Sequence, residues 1–193
     1  MNDKPLYLIS NVHRSGSSMM MRAFEAGGMD VAYDQSQEPL NYEYNTPDYT
    51  PNPNGFYALQ EDFERAGFVR DYAGRVLKYP IQLLTKLPKG NYQLVFLKRN
   101  PDEILASMAA FMPFVAWGRE ALPTVLYDEV VGAILDNLRA RGDFNIVVLN
   151  YADVVSNPKE VFEQLVKAGW SLQVEGAASV VDESLHRFKL EQK

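Results

Sequence analysis

The chain has 193 residues, 47% of them apolar and 23% charged, which suits one domain with a sizeable core and not a disordered segment. It holds no cysteine, which excludes a disulfide framework and thiolate-bound metal, and its two histidines, His13 and His186, are too far apart for a His-rich metal motif. A net charge of −6 argues against nucleic acid as partner while leaving room for one local basic pocket. With no leader-like N-terminus and no apolar run of about 18 residues, the expectation is a cytoplasmic protein with no membrane partner.

The opening stretch, LYLISNVHRSGSSMMMRAFEAGG, organises the rest. Leu6 to Ile9 predicts a strand, Asn11 to Ser17 a polar loop, and Met20, Ala23 and Phe24 one side of a helix that stops at Gly27 and Gly28. A strand, a loop of small residues and a helix N-terminus expose backbone N–H groups at the positive end of a helix dipole, where an anion is the natural occupant. Arg14 adds a permanent charge with a planar fork of donors, and Ser15, Ser17 and Ser18 add hydroxyls. Against the phosphate-binding pattern G-x-x-x-x-G-K-[ST], Gly16 takes the sixth place and Ser17 stands where the lysine would be. His13 lies within the loop, either as a ligand donor and acid/base or as a packing residue.

Met29 to Tyr33 reads as a short strand. Residues 34–57, rich in proline and tyrosine, read as a long loop that is either a lid or binding wall, or a surface excursion. Ala58 to Gly74 has the spacing of an amphipathic helix. Arg75 to Lys78 is a short strand, with a helix expected from Pro80. Gln93 to Lys98 is a continuous apolar run, the mark of a central parallel strand. Asn100, Pro101 and Glu103 then supply an N-cap, a first helical residue and a capping-box partner. Arg99 therefore falls at the carboxyl end of a central strand, where ligands bind in open α/β sheets, with Ser107 two turns into the next helix. Residues 111–127 begin as an aromatic, proline-broken segment, either an acceptor wall or a hydrophobic cap. Thr124 to Arg141 is helical, Asn145 to Asn150 a buried strand, Tyr151 to Pro158 a turn, and Pro158 to Ala168 a helix capped by Asn157. The tail carries His186, Arg187 and Lys189. The whole predicts a single three-layer α/β domain over residues 1–193, of the P-loop type, with a mainly parallel sheet of about five strands and helices on both faces.

Four segments in order resemble the sulfotransferase family, in a small form of the bacterial or phage type. They are Arg14-Ser-Gly-Ser-Ser18, Lys78 with Pro80 and IQLLTKLP, Arg99-Asn-Pro101 with Ser107 and Phe111, and VVLNYADVVSNPKEVFEQLVKAGW over residues 147–170. The resemblance implies the cofactor 3′-phosphoadenosine 5′-phosphosulfate (PAPS), with adenosine 3′,5′-bisphosphate (PAP) as product and no metal. It implies that Arg14, Ser15, Gly16, Ser17 and Ser18 hold the 5′-phosphosulfate and that Arg99 and Ser107 hold the 3′-phosphate. Lys78 is then the residue that stabilises charge on the bridging oxygen. Where cytosolic members carry Lys-Thr-His, whose histidine is the base, this chain carries Lys78-Tyr79-Pro80. Other members use a carboxylate after the loop, for which Asp34 and Glu38 are the candidates here, Asp34 also reading as a turn former. The family's Gly-rich basic C-terminal motif is absent, and Arg187 and Lys189 stand in for its charge. The implied reaction is sulfuryl transfer to a hydroxyl or amine of a small-molecule or peptide acceptor, by a monomer or homodimer. Two other readings stay open: a P-loop kinase acting on ATP–Mg²⁺, and a non-catalytic nucleotide- or anion-binding member.

Overall fold

The computed structural model describes residues 4–37, 50, 52–111 and 124–189. Much of the two candidate lid segments, with Glu38, Tyr42, Tyr44 and Tyr49, lies outside the described residues. The elements in chain order are β1 (Leu6–Asn11), α1 (Ser17–Ala26), α2 (Phe68–Asp71), β2 (Val76–Lys78), β3 (Tyr92–Lys98), α3 (Pro101–Phe111), α4 (Thr124–Arg141), β4 (Phe144–Asn150), α5 (Tyr151–Ser156), α6 (Pro158–Lys167) and α7 (Val174–Ser179).

The strands form one parallel four-stranded sheet in the order β2-β1-β3-β4. Side chains alternate across a strand, so each strand feeds two cores. Tyr7, Ile9, Val95 and Leu97 face a cluster with Met20, Met21 and Phe24 of α1, Phe162 and Leu165 of α6, and Trp170. Leu6, Leu8, Leu77 and Leu94 face the other way, onto Phe68, Leu84 and Leu138. Phe96 continues that face against Ile104 of α3 and Val131 and Leu135 of α4. Each fully buried side chain of this size contributes roughly 1.5–3 kcal/mol of transfer free energy, which is why the two central strands are apolar throughout. Phe24 and Trp170 stack with centroids 4.8 Å apart, pinning α1 to the segment after α6. The result is an α/β fold with helices on both faces of a parallel sheet. Among the described residues no helix is long and apolar enough to cross a membrane.

Several local expectations are corrected. The strand expected at Met29–Tyr33 is a single bridge, Val31 to Val76, and the sheet has four strands among the described residues. The helix expected over 58–74 is confined to α2. Asp62 accepts from the Glu64 N–H in a local turn, and Gly67, at φ 87°, breaks the run. The Pro80 segment winds as a 3₁₀ helix, Ile81–Lys86. β4 is an edge strand and not a buried one, with Val148 37% exposed. Its apolar run serves only one well-covered face. The expected turn after β4 is the helix α5, ended by Asn157 at φ −136° just before Pro158 opens α6. Asn157 makes no side-chain cap bond, whereas Asn100 Oδ1 does accept from the Asp102 N–H at 2.9 Å.

The register aligns the carboxyl ends of the strands: Ile9 pairs with Lys78, Asn11 with Leu97, and Lys98 with Asn150. The opposite end of β3 and β4 is held by Asp143. Its carboxylate takes Arg141 Nε at 3.1 Å, Arg141 Nη2 at 2.8 Å and the Gly90 N–H at 3.0 Å. Burial pushes this carboxyl up, but the Arg141 fork and the Gly90 donor outweigh it and hold it below the usual carboxylate range. The native state therefore favours the ionised form, and that stability is present above the unfolded value near pH 4 and lost as pH falls through the lower folded value. Asp143→Asn is expected to cost about 1–2 kcal/mol near pH 7 and almost nothing near pH 2. Urea unfolding of both proteins at the two pH values checks this.

Candidate functional site

Every described segment that leaves the carboxyl end of the sheet contributes to one place. After β1 the chain runs through Arg14 at φ 66° and Gly16 at φ 96° into α1. A non-glycine residue in the left-handed region is uncommon, and here it folds the loop back across the helix end. No side chain caps α1, so the first-turn N–H groups of Ser17 and Ser18 have neither an intrahelical nor a side-chain acceptor. Gly16 is required twice over. Besides its φ, a Cβ there would fall 2.5 Å from Cδ2 of Tyr151, whose ring closes over the loop from α5.

Lys78, at the end of β2, donates to Ser18 Oγ at 2.8 Å and also bonds the Phe56 carbonyl oxygen. Ser18 Oγ donates to that same carbonyl at 3.1 Å. From the end of β3, Arg99 reaches across the loop. Its Nη1 donates to the Arg14 carbonyl at 3.0 Å, its Nε to Glu103 Oε2 at 2.9 Å, and its guanidinium lies 4.4 Å from the Tyr151 ring centroid. The Arg99 side chain is 6% exposed, and its Nη2 is buried with no hydrogen-bond partner among the described residues. Arg14 Nε donates to Ser107 Oγ at 3.2 Å, and Ser107 is buried. The sequence-predicted phosphate loop and the Arg99–Ser107 pair thus meet through direct hydrogen bonds.

The cleft above them contains about 830 Å³ of empty space, its open mouth included. Arg14, Gly16, Ser17, Ser18, Arg99 and Ser107 line its floor. Residues 52–55 form one wall, and Val180, Leu185, Arg187 and Phe188 of the C-terminal segment form the other. Arg187 Nη1 donates to the Thr50 carbonyl at 2.8 Å and so joins the two walls. Against four lining arginines there is one described lining carboxylate, Asp182. Side-chain and backbone hydrogen bonds from Ser184 hold it below the usual carboxylate range, so it is a poor base. The positive charge that predominates in this lining is complementary to an anion.

Not all of the sequence-predicted residues line it. Ser15 is fully buried, and its Oγ has no partner. His13 is exposed on the loop, outside the cleft lining. Asp34 Oδ1 accepts from both the N–H and the hydroxyl of Ser36, as a turn former does, and is not a lining residue. Lys189 is exposed and also lies off the cleft. Arg22, which sequence reading missed, does line it. Its signal was its place one turn after Ser18 on α1, which puts it on the same helix face. Glu103, expected to close a capping box, turns inward to Arg99 and to His186 Nε2, 2.8 Å away. Burial pushes its carboxyl up, but the hydrogen bonds from His186 and Arg99 outweigh that and leave it below the usual range.

No protein-family model and no curated protein matches the chain. Among solved structures it is similar to retinol dehydratase in complex with androsterone and inactive cofactor PAP, at 14% identity and a TM-score of 0.44, over 93% of this chain and 63% of that one. It is also similar to an unliganded sugar kinase from Janibacter sp. HTCC2649, at 13% identity and a TM-score of 0.38, over 93% of this chain and 99% of the kinase. The chain thus spans less than two thirds of the dehydratase's length, and likeness of this degree does not say which ligand this chain binds.

Proposed function

We propose that the cleft binds a 3′,5′-bisphosphorylated adenosine nucleotide and that the protein is a sulfotransferase, moving a sulfuryl group from PAPS to a hydroxyl or amine of a small-molecule or peptide acceptor. The observation that carries this reading is the buried Nη2 of Arg99, which has no hydrogen-bond partner among the described residues. A buried guanidinium edge without an acceptor is costly unless an anion completes it, and this edge is a second cationic position, joined to the α1 loop through the Arg14 carbonyl. A nucleotide with anionic groups at one end only has no use for two such positions.

In this reading the first-turn N–H groups of α1, with Arg14, Ser17 and Ser18, hold the 5′ end. Arg99 and Ser107 hold the 3′-phosphate. Lys78 does not itself line the cleft but bonds Ser18 Oγ at the α1 N-terminus, from where it would supply positive charge as the 5′-phosphate leaves, and Arg187 closes the mouth. When bound, PAPS supplies the activated sulfuryl group, and the residues' part is in-line positioning and charge stabilisation. Neither His13 nor Asp34 lines the cleft, so the proposal covers the nucleotide and the group transferred, not the base. A kinase would use the same loop with ATP–Mg²⁺, but Ser17 occupies the lysine's place in it.

Calorimetric titration of the purified protein with PAP, ADP and ATP–Mg²⁺ tests this. PAP is expected to bind at least tenfold more tightly than ADP, since one charge-assisted contact is worth about 1.5–3 kcal/mol. Preference for ATP–Mg²⁺ supports the kinase instead, and binding of none of the three withdraws both.

A further inference from the structure

A buried carboxylate beside an anion-binding arginine works against that arginine, yet Glu103 occupies this place. Its side chain is 10% exposed, and its Oε2 accepts from Arg99 Nε at 2.9 Å while lying 2.8 Å from His186 Nε2. An ionised carboxylate can only accept, so the His186 nitrogen facing it carries a proton. The geometry fixes the fork of Arg99. With Nε on Glu103 and Nη1 on the Arg14 carbonyl, Nη2 is the buried guanidinium nitrogen without a hydrogen-bond partner among the described residues.

The cost of this clamp is electrostatic. Arg99 and Glu103 together carry no net charge, and a phosphate dianion gains little from a neutral pair. The group that changes this is His186. When its ring carries two protons, the three side chains sum to one positive charge. Glu103 of α3 and the ring of Tyr151 of α5, edge-on at 4.9 Å, face His186 from the packed elements. Arg99 meets it across the shared Glu103 oxygen. Asp182, Glu183, Arg187 and Lys189 are the charged groups on its own segment.

We infer that Glu103 and His186 are a buried positioning pair for anion binding. Glu103 clamps Arg99 so that Nη2 meets the ligand, and protonated His186 cancels the Glu103 charge so that the positive charge of Arg99 acts on the ligand alone. The inference rests on the reading of the cleft as a bisphosphate nucleotide site. It adds that nucleotide binding takes up a proton at His186, and so responds to pH through a residue 83 positions away from Glu103 in sequence. The same contact anchors the C-terminal segment, whose next residue, Arg187, lines the cleft.

The test measures PAP affinity by calorimetry, with inorganic pyrophosphate as the nucleotide-free probe, for wild type, Glu103→Ala, Glu103→Gln and His186→Gln. Glu103→Ala is expected to weaken PAP by about tenfold or more, and Glu103→Gln, which keeps an acceptor for Arg99, to recover most of that loss. His186→Gln keeps a donor for Glu103 but cannot gain charge. It is expected to bind PAP as wild type does near pH 8 and about three- to tenfold more weakly near pH 5.5. Taking the ratio to wild type removes the titration of the phosphates themselves. A ratio that does not change with pH gives His186 a structural role only and overturns the inference, whether or not Glu103→Ala folds. If wild type binds pyrophosphate but not PAP, the nucleotide reading fails while the same ratio, measured with pyrophosphate, still decides the pair. If it binds neither, both fall.

Discussion

Arg99→Ala is expected to weaken PAP binding by about 100-fold, and to weaken adenosine 5′-monophosphate by much less. In the proposed reading the guanidinium would supply the charge-assisted contact to the 3′-phosphate, worth about 1.5–3 kcal/mol, and loss of its bond to the Arg14 carbonyl would loosen the loop proposed to hold the 5′-phosphate. The loop contribution affects both nucleotides and the 3′ contact only one, so the difference between them isolates the site. The substitution also takes the Arg99 ion pair from a buried Glu103, and a loss of stability of about 3 kcal/mol is expected. Arg99→Lys keeps the charge but not the fork, and is expected to recover little of the affinity, because one ammonium cannot serve Glu103, the Arg14 carbonyl and a phosphate together. Calorimetry with the two nucleotides and urea unfolding of each variant measure these effects. Equal loss for both nucleotides would mean that Arg99 supports the loop and does not read a 3′-phosphate.

Gly16→Ala is expected to be the most damaging single methyl group that can be added to the site. At φ 96° an alanine pays roughly 1–2 kcal/mol in backbone strain alone. Its Cβ would also lie 2.5 and 2.6 Å from two ring carbons of Tyr151 and 3.3 Å from Leu97 Cδ2. The ring cannot yield cheaply, since it packs under the Arg99 guanidinium and against the edge of His186. Overpacking of this kind costs about 1–3 kcal/mol more. Together these lower the melting temperature by about 5–15 °C in a chain of this length. PAP affinity is expected to fall with it, because moving Tyr151 moves Arg99. If the ring contact is the cause, Gly16→Ala and Tyr151→Ala are expected to be non-additive, the double variant losing less stability than the two single losses combined. Additive losses would assign the whole effect to the backbone.

What could be read from the chain was what local chemistry dictates. The apolar run of β3 has no solvated face, so it had to be central. The strand, loop and helix around Gly16 could be read as an anion cradle because helix N-termini leave N–H groups unpaired wherever they occur. Asn100 and Pro101 start α3 for reasons contained within four residues. The misplaced elements were those with two local solutions. Residues 58–67 satisfy their polar groups in turns as well as in a helix, and 151–156 are too short for periodicity to decide. β4 shows the limit of a pattern: its apolar run is that of a central strand, but a sheet has two edges and the sequence does not say which strand takes one.

The site divides in the same way. Arg14, Gly16, Ser17, Ser18 and Arg99 were legible because each lies within a few residues of the carboxyl end of a strand, and parallel strands bring those ends together whatever the rest of the chain does. Tertiary structure alone decided which cations gather in the cleft, that Glu103 turns away from its own helix start, and that His186 arrives beside it. It also decided that Tyr151 closes over Gly16 and that Asp34 is occupied by its own turn. A side chain's charge is fixed by its identity. What that charge acts on depends on burial and on neighbours brought from distant parts of the chain, and only the folded core sets those.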